Sequence, residues 1–303
     1  MASTYHDLRL DVRRGLEQAG IEAAEFESWQ ILTAASGKSR EEILRDDGLY
    51  TTDEVVRQVR SMVERRQNEE PLAYVLGEWT FRHLDFFVDA NALIPRTDTV
   101  ILADLAVSYL KQCQGNTRIL DLCAGTGCVG ITAASQVRTA RCVLVELSDG
   151  ALDLCRRNIR RHKLTGRVVH LKGDVTLPPS PALGQFDVVV CNPPYIATGE
   201  IPYLDPSVKD FEPMMALDGG PDGLQFYRAV IDLWKPVVKP GGYLLFEVGI
   251  DQAKAVATLM ARAGYQKILI TRDTNKIERV VSGRRPPEAT IIPFPTAGEN
   301  EED

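Results

Sequence analysis

From Thr117 onward, short apolar runs alternate with stretches of helical periodicity, and that alternation leaves the chain few folds to choose from. Five runs of strand length and composition occupy 118–122, 142–146, 168–171, 186–191 and 243–248. Strands separated by amphipathic helices pair parallel and are covered on both faces by those helices. Right-handed crossovers then give a doubly wound sheet. Two last runs, 267–271 and 279–282, lie close together and predict an antiparallel pair at one edge. The expectation is therefore an α/β fold with a mostly parallel, seven-stranded sheet.

Ahead of this region the pattern is different. Residues 1–75 read as a small helical unit. Leu8, Val12 and Leu16 recur every four residues up to Gly20; Phe26, Trp29 and Leu32 make a second stripe that stops near Gly37. Ser39 with Glu42 forms a capping box for a short third helix, and Thr51 with Glu54 starts a fourth. No catalytic constellation occurs there. In 76–97, Trp79, Phe81, Phe86, Phe87 and Val88 are strand formers around a polar break, which predicts a hairpin joining two domains. The catalytic domain is expected over 98–285, opening with a helix to about Leu110. The segment 286–303 holds four prolines and closes on Glu299, Glu301, Glu302 and Asp303, the composition of a disordered acidic tail.

Composition narrows the function. The 303 residues are 44% apolar and 25% charged, the balance of a globular protein with a real core. A net charge of −7 does not suit a protein that must hold a phosphate backbone, so no direct nucleic-acid partner is expected. No apolar run is long enough to cross a bilayer, and the start lacks a signal peptide's apolar stretch. Six cysteines without a CxxC pair read as reduced thiols, which with the rest predicts a cytoplasmic protein without a metal site.

The segment from Asp121 to Gly127 lies where the first sheet strand turns into a helix. Glycines at 125 and 127 let the backbone approach a ligand, and the helix start offers free N–H groups. Gly125 to Gly130 also fits G-x-G-x-x-G, a pattern shared by nicotinamide, flavin and S-adenosylmethionine folds. Asp121 precedes the glycines, where a carboxylate suits the amino group of a methionine moiety and repels a pyrophosphate. Glu146 ends the second strand, where an acid grips ribose hydroxyls. Asp174 and Val175, after the third strand, suit an adenine amine and ring. Together these acids favour a nucleoside that carries a cationic amino acid.

Asn192-Pro193-Pro194-Tyr195 follows the fourth strand at the sheet's carboxyl edge. Two prolines stiffen the chain where it must present carbonyls. A planar amino group is a poor nucleophile because its lone pair is delocalised. The Asn192 side-chain oxygen and the Pro193 carbonyl can accept both of its N–H bonds and fix the nitrogen before an electrophilic methyl, with Tyr195 against the flat amide. A nicotinamide oxidoreductase would leave this motif idle, and a non-catalytic binding module would not need Asp121, Glu146 and Asn192 together.

At this point the residues resemble a family: the bacterial peptide chain release factor glutamine methyltransferases. The resemblance runs from the N-terminal helices to about Arg285. It rests on Leu93-Ile-Pro-Arg96, the segment Asp121 to Gly127, Asn192 to Ile196, Phe211-Glu-Pro213, the stretch Ala216 to Leu224 with Phe226-Tyr-Arg228, and Arg272-Asp273 leading to Glu278-Arg-Val280. It implies a class I S-adenosylmethionine methyltransferase that methylates the glutamine of a Gly-Gly-Gln loop, with release factors as partners. Cofactor contacts would come from Cys123, Ala124, Gly125, Thr126 and Gly127, with Glu146, Val175 and Asn192. The segment Asn192 to Tyr195 would hold the substrate glutamine, and the helical domain would help dock the release factor. Cys123 and Ala124 replace the family's usual glycine and threonine, and Thr97 and Val100 its proline and glutamate. A glutamine methyltransferase acting on a ribosomal protein would show the same active site; a DNA or RNA amino-methyltransferase would need a basic groove that this acidic chain does not display. Arg156, Arg157, Arg160, Arg161 and Lys163 form a basic strip that reads as a solvated face.

Overall fold

The structure, a computed structural model, describes residues 3–288; most of the expected tail lies outside them. Five helices open the chain: α1 Tyr5–Gln18, α2 Ala24–Ser36, α3 Arg40–Arg45, α4 Asp53–Gln67 and α5 Leu72–Leu76. The hairpin strands β1 Glu78–Phe81 and β2 Leu84–Phe87 follow, paired antiparallel. Then come α6 Val100–Gln112, β3 Arg118–Leu122, α7 Cys128–Gln136, β4 Arg141–Glu146, α8 Asp149–Arg161, β5 Val168–Lys172 and β6 Phe186–Cys191. A short turn of helix, α9 Pro206–Lys209, precedes α10 Gln225–Leu233, β7 Val238–Glu247, α11 Ala253–Arg262, β8 Gln266–Arg272 and β9 Glu278–Arg284.

The small domain packs through the stripes the sequence shows, with two adjustments. Leu8, Val12 and Leu16 of α1 meet Trp29, Ile31 and Leu32 of α2 in one core with Val55, Val56 and Val59 of α4. Phe26, however, faces solvent at 54% exposure, because Ile31 and Ala35 complete the buried face of α2 instead. The Ser39–Glu42 capping box is present, whereas α4 is capped by the Thr52 hydroxyl, one residue after the expected Thr51. The sequence pattern missed α5: Pro71 precedes this helix, and its fully apolar face reads equally well as a strand.

The large sheet has the order β5-β4-β3-β6-β7-β9-β8. Its first five strands run parallel; β9 lies antiparallel between β7 and β8. Both faces are apolar, as a buried parallel sheet requires. Ile119, Val188 and Val190 point to a core shared with α6, α7 and α8, while Leu120, Val189 and Phe246 point to one shared with α10 and α11. The chain order reverses between β3 and β6, so the loops after these strands diverge and leave a crevice at the carboxyl edge.

The hairpin is tied to the sheet domain through α8. Asn158, fully buried, accepts from the Phe87 N–H at 2.7 Å and donates to the Phe87 carbonyl at 3.1 Å and the Thr126 carbonyl at 3.0 Å. The guanidinium groups of Arg157 and Arg161 stack on Phe87 and pair with Asp89 and Glu78. Two cations of the basic strip, Arg157 and Arg161, thus pair within the molecule, on an acidic and aromatic hairpin that comes to them only on folding.

Candidate active site

A cavity of about 510 Å³ opens at the crevice, within the range of small-molecule sites. The ends of four adjacent strands build it. After β3, Asp121, Cys123, Ala124, Gly125 and Thr126 line the wall; after β4, Glu146; after β5, Asp174 and Val175; after β6, Asn192 and Pro194. Of the expected site residues, Gly127, Pro193 and Tyr195 stand outside this lining. Gly127 begins α7 at φ +80°, and a β-carbon there would stand 2.9 Å from Leu144 and 3.0 Å from Ile131. It shapes the turn from beneath. Pro193 is buried, and the half-buried Tyr195 packs beside Gly249.

The acids are held by backbone donors. Glu146 accepts from the N–H groups of Gly125, Leu147 and Ser148 at 2.8–2.9 Å, which fixes its carboxylate beside the glycine loop. Asp174 accepts from both the N–H and the hydroxyl of Thr176. Asp121, only 2% exposed, accepts from Gly130 N–H at 2.8 Å. That single bond does not offset its desolvation, and its pKa is pushed up to about 8. A buried carboxyl of this kind is poised to ionise when a cation arrives.

The Asn-Pro-Pro-Tyr segment is braced by the loop 217–223. Ile196 N–H donates to the Leu217 carbonyl, and Gly219 N–H returns a bond to the Ile196 carbonyl. A β-carbon at Gly223 would stand 2.3 Å from the Tyr195 carbonyl oxygen, so only glycine permits this approach. The Gln252 side-chain N–H donates to the same carbonyl at 2.8 Å. Asn192 itself donates to the Thr99 hydroxyl at 3.4 Å.

Several stretches scattered along the sequence converge here. Arg96 pairs with the buried Glu212, joining the linker to the loop whose Met214 and Met215 line the cavity mouth. Arg279 of β9 pairs with Asp98 and Asp273 behind Asn192. Thr99, Gln252, Met214, Met215 and Glu247 were not among the expected site residues. Nothing in their local sequence marks them, since each reaches the site from an element far along the chain.

The donor set suits a nucleoside bearing a cationic amino acid. Three strand ends carry acids, apolar walls lie between them, and beyond its own chain neighbours nothing stands within 4 Å of where a β-carbon at Gly125 would be, on the cavity wall. The loop's departures at Cys123 and Ala124 leave this cradle intact; Cys123 adopts φ +55°, a left-handed conformation usually given to glycine.

Comparison with known proteins agrees with this geometry. Residues 101–203 match the family model described as Methyltransferase small domain, and residues 7–77 match the PrmC N-terminal domain. The solved hMettl16 catalytic domain, in complex with MAT2A 3'UTR hairpin 6, superposes with a TM-score of 0.54 at 13% identity, over 80% of this chain and 87% of that one; it shares the fold. The release factor glutamine methyltransferase of Caulobacter vibrioides is 34% identical over 274 residues, 90% of this chain and 93% of that protein. That of Geobacter sulfurreducens is 39% identical over 278 residues, 91% of this chain and 95% of that protein. With likeness of this degree running through both the helical region and the sheet domain, the chain belongs to the release factor glutamine methyltransferase family.

Proposed function

We propose that this protein transfers a methyl group from S-adenosylmethionine to the side-chain amide nitrogen of the glutamine in the Gly-Gly-Gln loop of peptide chain release factors. The observation that supports it most is the meeting of Asn192 and Pro194 with three acidic strand ends around one cavity. Asp121 would take the cofactor's amino group, Glu146 its ribose hydroxyls, and Asp174 with Val175 its adenine. Bound there, S-adenosylmethionine supplies a methyl group on positively charged sulfur.

This chain's own contribution is positioning. The Asn192 oxygen and the Pro193 carbonyl accept the two N–H bonds of the substrate amide and hold its nitrogen, and Tyr195 supports the amide plane through the backbone that Gln252 and Gly223 fix. As the nitrogen forms its new bond, positive charge develops beside the two acceptors, so their hold strengthens in the transition state. The methylated nitrogen then loses its proton to solvent without a dedicated base. Release factor incubated with the protein and labelled cofactor should gain a single methyl, located by mass spectrometry on the glutamine of its Gly-Gly-Gln loop. Label on a ribosomal protein instead would replace the substrate while keeping the chemistry, and saturable binding of NAD alone would remove both.

A further inference from the structure

Behind Asn192 lies a carboxylate that the mechanism above does not use. Glu247 is the last residue of β7. Cys191 of β6 stands beside Phe246 in the parallel register, so the next residues along, Asn192 and Glu247, emerge side by side from the sheet. Glu247 is 3% exposed and does not line the cavity, whereas Thr99 and Asn192 in front of it do. The Thr99 hydroxyl and the Asn192 side-chain amide lie on its side of the site and favour its ionised form, and its Oε2 is buried without a hydrogen-bond partner. A buried carboxylate so incompletely satisfied is costly, which makes a purely structural purpose a poor account of it.

We propose that Glu247 is a positioning residue for methyl transfer: ionised, it forces the Asn192 amide to face the substrate with its oxygen. A carboxylate only accepts hydrogen bonds. The Thr99 hydroxyl, once it donates to Glu247, has only acceptor capacity left for Asn192, which it reaches at 3.4 Å. Everything behind Asn192 therefore calls for its NH₂, and the side-chain oxygen is left toward the cavity. A protonated Glu247 could donate, and the amide would lose its fixed sense. The negative charge behind Asn192 also favours the positive charge that develops on the substrate nitrogen.

The surroundings determine how this shows with pH. Burial pushes the Glu247 carboxyl up to about 7, with Asp98 raising it and Arg279 opposing. The other groups facing it titrate well away: Tyr195 and Cys128 are each pushed up to about 12, and burial pushes the Tyr227 hydroxyl well up from its ordinary value. Arg279 is itself held by Asp98 and Asp273.

This inference rests on the proposed function, and the test separates the two. The measurement is kcat against pH at saturating cofactor and release factor, for the wild type, Glu247→Gln and Glu247→Asp. The wild type should lose turnover as pH falls through about 7. In Glu247→Gln, whose amide donates as well as accepts, kcat at high pH should fall roughly 10–100-fold, the loss typical of groups that orient a reacting ligand, and the acid limb should vanish. KM for release factor, calorimetric affinity for the demethylated cofactor product, and melting temperature should stay near wild type. Glu247→Asp, which keeps the charge, should keep the acid limb. A wild-type kcat in Glu247→Gln, an acid limb that survives in it, or losses confined to melting temperature and cofactor affinity would each overturn the proposal. A wild-type protein inactive on release factor would overturn the functional reading, and this inference with it.

Discussion

Asp121 illustrates how one side chain can link cofactor binding to pH. In the free protein its carboxyl is buried with one backbone donor and holds its proton up to about pH 8. A cationic amino group placed against it favours the ionised form, so binding must expel that proton below pH 8. Affinity for S-adenosylmethionine should therefore climb about tenfold per pH unit and level off above pH 8, the slope for one proton released. Calorimetry in buffers of different ionisation enthalpy measures that proton directly. The same shift acts on the free protein with the opposite sense. A carboxyl raised on folding adds stability below its ordinary value of 3.8, and that stability is lost as pH rises through about 8. Asp121→Asn should flatten both dependences. Asn192→Ala tests the chemistry itself: kcat and kcat/KM should fall together by roughly 10²–10³, since the lost acceptor acts mainly in the transition state. A variant that binds cofactor normally and still methylates at near wild-type rate would refute the role given to Asn192.

The hairpin β1–β2 has little core of its own and depends on α8. Asn158 supplies both donors and the acceptor that join Phe87 to Thr126, so it ties the hairpin to the cofactor loop as well as to the helix. Asn158→Ala would leave buried backbone groups unpaired. It should destabilise the protein by about 1–3 kcal/mol in denaturant titration and speed hydrogen exchange at the Phe87 amide. Arg156→Ala makes the matching control, since its guanidinium meets only Asp153 on the same exposed face and such pairs contribute about 0.5 kcal/mol or less. Equal effects from the two substitutions would mean that the junction does not depend on Asn158.

For the whole molecule, the division of labour between the helical domain and the sheet domain can be tested by cutting between them. The helical core is built by α1, α2, α3 and α4, with Leu72 of α5 at its edge. Other side chains of α5, Ala73 and Tyr74, pack instead with Val88, Ile94 and Phe211, and the Tyr74 hydroxyl donates to the Ala92 carbonyl at 2.7 Å. A fragment beginning at Pro71 keeps this second cluster, whereas one beginning at Glu78 would open it. The Pro71 fragment should bind S-adenosylmethionine like the full chain yet lose methylation of intact release factor. Full activity of the folded fragment would show that the helical domain does not serve docking.

The sheet and the motifs at its edge are legible in the chain before any contact is considered. Strand periodicity, glycines and acids at strand ends, and a stiff Asn-Pro-Pro-Tyr are local signals, legible because each arises within a few residues. The apolar runs 118–122 and 186–191 match β3 and β6 residue for residue, and nine of the ten expected cofactor residues line one cavity. Tertiary structure alone decided which groups stand behind those motifs. Glu247 ends an ordinary apolar strand, Gln252 precedes an ordinary helix, and Arg161 belongs to what reads as a solvated face; each meets its neighbours from an element dozens of residues away. Phe26 faces solvent because α1 and α4 pack against the face of α2 that carries Ile31 and Ala35, and only the folded chain decides which face that is. Local pattern reveals where chemistry can be presented, and the fold decides which buried acceptors and charges orient it.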